Sequence, residues 1–194
     1  MLPAADNGKL SGGPLDGTYT ILQMHLHWKS EHQFCVLKPE AFCENTNLEA
    51  HFVFTKDGVE DPLNTPKGLA VLGFLFLPGG FKRDVFPFID KLDAITEAGS
   101  SVDITEDGFR PIFNVVSEAF DIAGRYAYYQ GSLTTPACNQ VVEWFVFTTI
   151  TEISDSDVKA FKKLKDKDGN QILSNNRPTQ AINEHVIKYY SSSP

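Results

Sequence analysis

Two histidines separated by a single residue lie inside a long run of strand-forming residues, and this pattern constrains the fold more than any other feature. The run extends from Thr18 to Ser30 and contains His25 and His27. Successive side chains of a strand point to opposite faces of the sheet, so both imidazoles point the same way, with the amide of Gln23 one step behind them. Burying two imidazoles costs free energy unless each finds a partner. The pattern therefore predicts a polar site on one face of a central strand.

Alternation along this run predicts which side chains share each face of the sheet. The polar face is expected to carry Tyr19, Ile21, Gln23, His25 and His27. The opposite face is expected to be ordinary core and to carry Leu22, Met24, Leu26 and Trp28.

A second strand-forming segment supplies a third imidazole. Within residues 48–54, Glu49 and His51 share a face. If this strand lies antiparallel beside the first, His51 lies next to the histidine pair, and three neutral imidazoles form a tetrahedral zinc site with one open position. A ligating histidine usually donates its other N–H to an acceptor, and Gln23 and Glu49 each stand two residues before a candidate ligand. A His-x-His pair alone is more often a surface or core pair, but the third histidine favours a metal site.

The length and composition favour one globular domain that acts on a small molecule. A chain of 194 residues with 42% hydrophobic and 22% charged residues is long enough for one sizeable core, so we expect a single domain over residues 1–194. A net charge of −8 argues against nucleic acid or an anionic membrane as a partner. The longest apolar run, Leu69–Pro78, is too short to span a bilayer and predicts a buried strand. The first residues, Met1–Asp6, have neither the basic start nor the apolar core of a secretory signal.

The remaining segments predict a sheet-rich chain with few helices. Helical spacing of apolar residues predicts a helix over Asp84–Ala98, and Ser154 or Ser156 can cap a short helix over Asp157–Leu164. Residues 101–124 have no clear pattern. Strands are expected over Gly68–Leu77 and Val141–Ile153, and loops over Gln33–Asn47, Thr55–Lys67 and Tyr126–Pro136.

Three cysteines, Cys35, Cys43 and Cys138, show no metal-binding spacing. An odd number leaves one unpaired if the other two form a bridge, so either all three are reduced or a partner lies outside the chain. The spacing alone leaves the pairing open.

Several motifs, in the same order along the chain, resemble the α-class carbonic anhydrases. They cover nearly the whole chain and are Gly12-Gly13-Pro14-Leu15-Asp16-Gly17-Thr18-Tyr19, Gln23-x-His25-x-His27-Trp28, Ser30-Glu31-His32, Glu49-Ala50-His51, Gly68-Leu69-Ala70-Val71-Leu72-Gly73, Gly131-Ser132-Leu133-Thr134-Thr135-Pro136, Trp144 and Arg177-Pro178. The resemblance implies a mixed α/β, β-dominated fold, with a central twisted and mostly antiparallel sheet and short peripheral helices. It also implies Zn²⁺ as the cofactor and the reversible hydration of carbon dioxide to bicarbonate by hydroxide on the zinc ion.

The resemblance also assigns roles around the metal. The implied zinc ligands are His25, His27 and His51. The implied acceptors for their other N–H groups are Gln23, Glu49 and the backbone carbonyl of Asn175. The two remaining histidines, His32 and His185, are predicted not to bind zinc, and His32 is expected to face away from Glu31 if the strand continues.

A pair of residues matches the family's gatekeeping pair, Thr134 and Glu31. Ionised Glu31 can only accept hydrogen bonds, so a Thr134 hydroxyl bonded to it must offer a lone pair toward the zinc-bound group. The residues that match the family's carbon dioxide pocket are Val53, Val71, Leu133, Thr135, Val142 and Trp144.

The chain also departs from the family pattern. The resemblance begins inside the family's domain, so the N-terminal quarter to third of that domain, including the histidine that shuttles protons, has no counterpart. We therefore expect an exposed sheet edge beside the histidine strand, which favours self-association. The segment between Glu31 and His51 is longer than is usual in the family.

The resemblance bears on the cysteines and on location as well. Secreted family members commonly bridge the position of Cys138 to a cysteine in the N-terminal segment that has no counterpart here. The resemblance therefore implies a disulfide between Cys35 and Cys43, with Cys138 free, in a secreted protein. Three free thiols would instead indicate a cytoplasmic protein.

Two other interpretations are open from the sequence. The spacing His25-x-His27-x-x-x-Glu31 also fits the iron or manganese motif of cupins, but it leaves Thr134 and Glu49 unexplained, and the glycines that frame the cupin motif are absent. A carbonic-anhydrase-like chain can also keep the fold and the metal yet serve as an inactive binding or matrix module. The unmatched N-terminal strands favour that alternative, whereas the intact ligands favour the enzyme.

Overall fold

The computed structural model describes residues 3–6, 8–36, 42–79, 84–118 and 125–191. Strands dominate these ranges, and the helices are short. The strands are β1 (Pro3–Asp6), β2 (Lys9–Gly12), β3 (Thr18–Trp28), β4 (Gln33–Val36), β5 (Phe42–Asn45), β6 (Leu48–Lys56), β7 (Leu69–Pro78), β8 (Tyr126–Gly131), β9 (Val142–Ile153) and β10 (Lys188–Tyr190). The helices are α1 (Glu106–Glu118), α2 (Asp155–Phe161) and a 3-10 helix over Ile89–Ala94.

Eight of the strands form one sheet, in the order β1-β2-β3-β6-β7-β9-β8-β10. Within the described residues, neighbouring strands of this sheet are antiparallel except β7 and β9, which are parallel. The predicted β-dominated fold with a mostly antiparallel sheet is therefore confirmed, and the parallel pair makes the sheet mixed. A parallel pair needs a crossover connection, and α1 and β8 lie in the chain between these two strands.

A bulge in β3 reverses which side chains face the larger core and which face the histidine side of the sheet. The register with β6 shifts between Ile21 and Gln23, so Leu22 is the extra residue. Before the bulge Tyr19 is fully buried in the main core, whereas after it Gln23 lies opposite Val53 on the other face. The prediction that Tyr19 and Ile21 share a face with the histidines is wrong, because one inserted residue reverses the alternation.

The sheet separates two apolar clusters. The larger cluster lies on the face covered by both α-helices and the 3-10 helix, and it contains Trp28, Phe74 and Phe145. The smaller cluster lies on the face that carries the histidines, and it is built from β6, β7 and β9 side chains that include Trp144. Because both faces of β7 pack against a cluster, its apolar run is buried along most of its length.

Two strands and the second helix agree with the sequence. β7 and β9 form where long apolar and β-branched runs predict them. Ser154 caps α2, since its hydroxyl accepts a hydrogen bond from the backbone N–H of Asp157 at 3.1 Å. Among the described residues, no helix combines the length and the apolar character needed to cross a bilayer.

Other segments differ from their predictions. The helix predicted over Asp84–Ala98 is a 3-10 helix over Ile89–Ala94, and Pro87 disfavours helical geometry in the residue before it. The loop predicted over Tyr126–Pro136 begins with β8, because pairing with β9 on one side and β10 on the other satisfies its backbone. The loop predicted over Gln33–Asn47 contains the hairpin of β4 and β5, while residues 37–41 of that segment lie outside the described residues.

The helix α1 has no clear signal in the sequence. It contains Gly108 and Pro111, two residues of low helix propensity. The helix nevertheless forms and buries Ile112, Val115 and Val116 against the larger cluster. Tertiary burial thus outweighs local propensity in this segment.

Candidate metal centre

The pairing of β3 with β6 brings the three predicted histidines together. His25 lies directly opposite His51, and His27 lies two residues further along the same face of β3. The centroids of the three imidazole rings are 4.7 to 5.1 Å apart. Each ring offers one nitrogen to a common space, and these nitrogens all lie within 4.8 Å of one another. The arrangement is a group of side chains that could hold a metal ion.

One nitrogen of each ring is held by a separate hydrogen-bond acceptor outside this space. The pairs are Gln23 Oε1 with Nδ1 of His25 at 2.9 Å, the backbone oxygen of Asn175 with Nδ1 of His27 at 3.2 Å, and Glu49 Oε1 with Nε2 of His51 at 2.8 Å. An acceptor at one ring nitrogen keeps the hydrogen there and leaves the lone pair of the other nitrogen for a metal. The three acceptors are the groups that the sequence indicates.

Burial favours the uncharged form of the imidazoles. Burial, together with His51 and His27, lowers the pKa of His25 to about 3. Burial and the neighbouring His51 also lower the pKa of His27. A neutral imidazole is the form that ligates a metal, so these two rings are already in the binding form near neutral pH.

An unsatisfied nitrogen indicates that the cluster suits a cation. Nε2 of His27 is buried and has no hydrogen-bond partner among the described residues. A buried polar atom without a partner destabilises the fold, and a metal ion bonded to it removes that cost. Three imidazole nitrogens are a donor set that suits zinc, with a fourth position for water or substrate. The residues present therefore fit Zn²⁺.

Glu31 lies at the edge of the cluster, and one of its carboxylate oxygens is hydrogen-bonded. Oε1 accepts the backbone N–H of Arg177 at 2.8 Å. Oε2 is buried without a hydrogen-bond partner, 3.4 Å from Nε2 of His27 and 3.9 Å from Nδ1 of His51. The hydrogen bond expected from the Thr134 hydroxyl to Glu31 is therefore not formed in this structure. Thr134 itself is partly buried on the loop after β8.

Glu49 is the centre of a buried hydrogen-bond network behind His51. Its Oε1 lies 2.8 Å from Nε2 of His51 and 2.6 Å from Nδ1 of His32. Its Oε2 accepts the backbone N–H groups of Glu31 and His32, both at 2.9 Å. Burial alone would raise the pKa of Glu49, but His32 and His51 hold it well below its usual range. Glu49 is therefore an ionised acceptor with partners at both oxygens.

His32 belongs to this network, which the sequence did not reveal. The expectation that His32 faces away from Glu31 assumed that the strand continues, but β3 ends at Trp28 and the chain turns at Lys29, where φ is 67°. Nε2 of His32 lies 2.8 Å from the hydroxyl of Tyr129, a residue of β8. Although burial opposes the charged ring, Glu49 raises the pKa of His32. The only signal for His32 in the sequence is the motif Ser30-Glu31-His32. Its contact with Tyr129 could not be predicted, because the two residues are far apart in the chain.

An apolar surface lies directly beside the histidines. The ring of Trp144 is 4.8 Å from that of His51 and 5.0 Å from that of His32. The smaller apolar cluster contains or contacts five of the six residues predicted to line the substrate pocket, namely Val53, Val71, Leu133, Val142 and Trp144. The sixth, Thr135, is exposed on the loop after β8, in which the Pro136–Ala137 peptide bond is cis.

The cysteines pair as predicted. Cys35 and Cys43 form a disulfide, and Cys138 is free and partly buried. A second group of side chains that could hold a metal ion consists of His32, Glu49 and His51, so it includes one of the two histidines predicted not to bind zinc. The other, His185, is exposed and belongs to neither group within the described ranges.

Comparison with known proteins agrees with this geometry. The family model of the eukaryotic-type carbonic anhydrases matches residues 2–191. The chain belongs to the eukaryotic-type carbonic anhydrase family. The predicted family is therefore confirmed. Carbonic anhydrases are in general zinc-dependent and hydrate carbon dioxide, and the histidine cluster lies where such a metal could be held.

Individual carbonic anhydrases are moderately similar to the chain. It is 32% identical over 197 residues to human carbonic anhydrase 3, and the match covers 94% of the chain and 70% of the human protein. It is 30% identical over 193 residues to putative carbonic anhydrase 5 of Caenorhabditis elegans, covering 94% of the chain and 58% of the nematode protein. Rabbit carbonic anhydrase 4 is 27% identical over 200 residues, with 61% of that protein covered. The chain thus spans only part of the length of these carbonic anhydrases.

Proposed function

We propose that the chain holds one zinc ion through His25, His27 and His51 and catalyses the reversible hydration of carbon dioxide to bicarbonate. The observation that carries this proposal is the convergence of three imidazole nitrogens whose opposite nitrogens are each held by an acceptor. A zinc ion in such a site supplies a nucleophile at neutral pH by lowering the pKa of bound water to about 7, chemistry for which carbonic anhydrase is the standard example. Every other role belongs to side chains and backbone groups of the chain itself.

Glu49, Gln23 and the carbonyl of Asn175 would hold the ligands in one orientation. Because Glu49 is ionised, it accepts the N–H of His51 and so leaves a lone pair on Nδ1, which lies 3.2 Å from Nε2 of His25 inside the cluster. Gln23 does the same for His25 from within β3. Such acceptors typically contribute roughly 10- to 100-fold in metal affinity.

Glu31 and Thr134 would control hydrogen bonding at the reacting position. Glu31 is fixed by the N–H of Arg177, and its Oε2 has a free acceptor site that faces the cluster. If the Thr134 hydroxyl donates to that oxygen, it has only lone pairs left for the reacting group, so it accepts a hydrogen bond there. This would orient the reacting group toward the substrate.

The apolar surface beside the cluster would bind carbon dioxide, which is an apolar molecule. Trp144 lies beside the ring of His51, and Val53 and Val142 are buried in the same apolar cluster as Trp144. The valines offer no hydrogen bond to a competing water, and the indole N–H of Trp144 already donates to the carbonyl of Ser132. The proposed lining also includes Val71, Leu133 and the exposed Thr135. Weak binding on such a surface suits a small substrate that must leave quickly as a charged product.

A pair of histidine substitutions tests the proposal. His51→Ala should abolish stoichiometric zinc and carbon dioxide hydration together, as measured by metal analysis and stopped-flow pH change. His185→Ala is the matched control, because that side chain is exposed, and it should change neither value. Full zinc occupancy in the His51→Ala protein would overturn the ligand assignment.

The alternative function is that of a catalytically weak or inactive carbonic-anhydrase-related protein that binds a partner or a matrix. The missing hydrogen bond between Thr134 and Glu31 favours it, since that bond would set the direction of the reacting group. Zinc-loaded protein that binds one metal ion per chain and shows no hydration above buffer would establish this alternative.

We also propose that the chain forms one domain, is secreted and can self-associate. Strands from both halves of the sequence share one sheet, which supports a single domain. An exposed disulfide suits an oxidising compartment, which supports secretion.

Self-association would use an open edge of the histidine strand. In the described ranges, the pairing of β2 with β3 is limited to Thr18–Thr20, so Leu22–Leu26 have no strand partner on that side. An open edge favours pairing with a second copy, so light scattering over a concentration series should show dimers. A monomer at all concentrations would exclude self-association.

A further inference from the structure

A small hairpin lies in the chain between two parts of the metal centre. It consists of β4 and β5, which form a sheet of their own apart from the main sheet, and it follows Glu31 and His32 directly. Its aromatic side chains are largely in solvent, with Phe34 45% and Phe42 50% exposed. A two-stranded hairpin without a core is marginally stable by itself. The hairpin therefore depends on some further constraint.

That constraint is the disulfide. Cys35 and Cys43 are directly opposite each other in the two strands and are bridged. A cross-link restricts the unfolded conformations of the segment that it closes, and so it stabilises the hairpin. Both cysteines are exposed, which makes the bridge accessible to thiol–disulfide exchange.

The base of the hairpin is bonded to the same backbone that supports the metal centre. The N–H of Ser30 donates to the carbonyl of Thr46 at 2.9 Å, and the N–H of Thr46 donates to Ser30 Oγ at 2.8 Å. The side-chain amide of Asn45 donates to the carbonyl of Ser30 at 2.7 Å. Immediately after Ser30, the N–H groups of Glu31 and His32 donate to Glu49. The hairpin is therefore connected through Ser30 to the two N–H groups that bind Glu49, and a change in the hairpin can shift these two donors.

We propose that the disulfide between Cys35 and Cys43 is a redox-sensitive device that sets the metal affinity of the histidine cluster. This rests on the zinc binding proposed above. In the oxidised protein the hairpin holds two N–H donors against Glu49, which in turn orients His51. When the bridge opens, those donors are held less firmly, and Glu49 orients His51 less well.

The opening step needs a dithiol reductant. Its thiolate attacks one sulfur of the bridge, the S–S bond breaks, and a mixed disulfide forms. The second thiol of the reductant then attacks the mixed disulfide. The protein gains two electrons and two protons as two thiols, and the reductant leaves as its own disulfide.

Zinc affinity in the two redox states tests the proposal. The full chain is prepared oxidised, or reduced and then freed of reductant without air, and its zinc dissociation constant is measured by competition with a chromophoric chelator. The reduced protein and the Cys35→Ser/Cys43→Ser double variant should both bind Zn²⁺ roughly 10-fold more weakly, the scale expected when a ligand loses its supporting partner. The Cys138→Ser variant, which keeps the bridge, is the matched control and should bind like the oxidised protein.

Amide hydrogen exchange of the metal-free chain gives a readout that does not need zinc. Reduction should speed exchange at Glu31 and His32 while leaving the central strand β7 protected. Equal zinc affinities in both redox states, or equal exchange rates at these two amides, would overturn the inference. If the oxidised protein binds zinc no better than its His51→Ala variant, the proposed ligand set fails instead, and the exchange rates still decide whether the bridge controls the two donors.

Discussion

Oε1 of Glu49 lies 2.8 Å from Nε2 of His51, on the side of the ring that points away from the histidine cluster. This contact ties the metal centre to a fully buried carboxylate, whose four close partners also include His32 and the backbone of Glu31. The properties of the cluster therefore depend on residues that do not reach the metal position.

Replacing Glu49 by glutamine should weaken zinc binding by roughly 10- to 100-fold. The amide is similar in size, but it carries no charge and offers one acceptor oxygen where the carboxylate offers two. Chelator competition measures the effect. Glu60→Gln, on an exposed loop residue, is the control and should leave the dissociation constant unchanged.

Because Gly73 has no side chain, it leaves room for the carboxylate of Glu49. A Cβ at Gly73 would lie 3.0 Å from Glu49 Oε1 and 3.8 Å from Cδ2 of His51. Gly73→Ala should therefore lower zinc affinity by displacing the carboxylate. In a double-mutant cycle, the same substitution should cost much less affinity in a Glu49→Ala background, where the crowded oxygen is gone. Additive losses would contradict this explanation.

Tyr129→Phe should destabilise the fold by about 1 kcal/mol, because Nε2 of His32 then loses its hydrogen-bond partner in a partly buried position. The free energy of unfolding from urea titration is the measurement. Tyr189→Phe, at a side chain that is 76% exposed, should change it by less than about 0.5 kcal/mol. Equal effects of the two substitutions would exclude a role for the His32 contact.

Metal-free protein should lose stability as the pH falls below about 6.5. Burial and the neighbouring histidines lower the pKa of His25 from 6.5 to about 3 in the folded state. Between these values the unfolded chain binds more protons, so the free energy of unfolding rises with pH across this window and falls as the solution is acidified. Urea unfolding at several pH values should show a shallower slope for His25→Gln than for the unchanged protein.

Proton export should limit turnover in the active protein. Three of the five histidines form the cluster, both ring nitrogens of His32 are engaged, and the family resemblance assigns no shuttle role to His185. Histidine is the side chain that normally titrates near neutral pH, so small imidazole buffers should raise kcat and leave kcat/KM for carbon dioxide nearly unchanged. A kcat that is independent of buffer in zinc-loaded monomer would show that another group carries the proton.

The histidine cluster could be predicted from the sequence because it depends on local alternation and on one strand pairing. His25 and His27 are separated by a period of two, and Glu49 and His51 repeat that period on the neighbouring strand. The alternation rule placed Tyr19 on the wrong face, because the bulge inserts one extra residue and a periodic pattern cannot reveal such an insertion.

The parts that could not be predicted depend on contacts between distant segments. His32 joins the site because the chain turns after Trp28 and meets Tyr129 on β8. The segment of β8 was predicted to be a loop, because its own sequence has no clear strand pattern. It is a strand because it pairs with β9 on one side and β10 on the other. The helix α1 formed against its local propensity for the same reason.

Asn175 has a consequence for the order in which the protein is built. Its carbonyl lies 3.2 Å from Nδ1 of His27, and its side chain bonds the backbone of Leu26 and Trp28. These contacts join residues almost 150 positions apart in the chain. A ribosome releases the histidine strands long before it adds Asn175, so a nascent chain can pair its sheet while His27 still lacks its acceptor. Tight metal capture therefore has to wait until the segment that contains Asn175 has been made and has folded back onto the histidine strand.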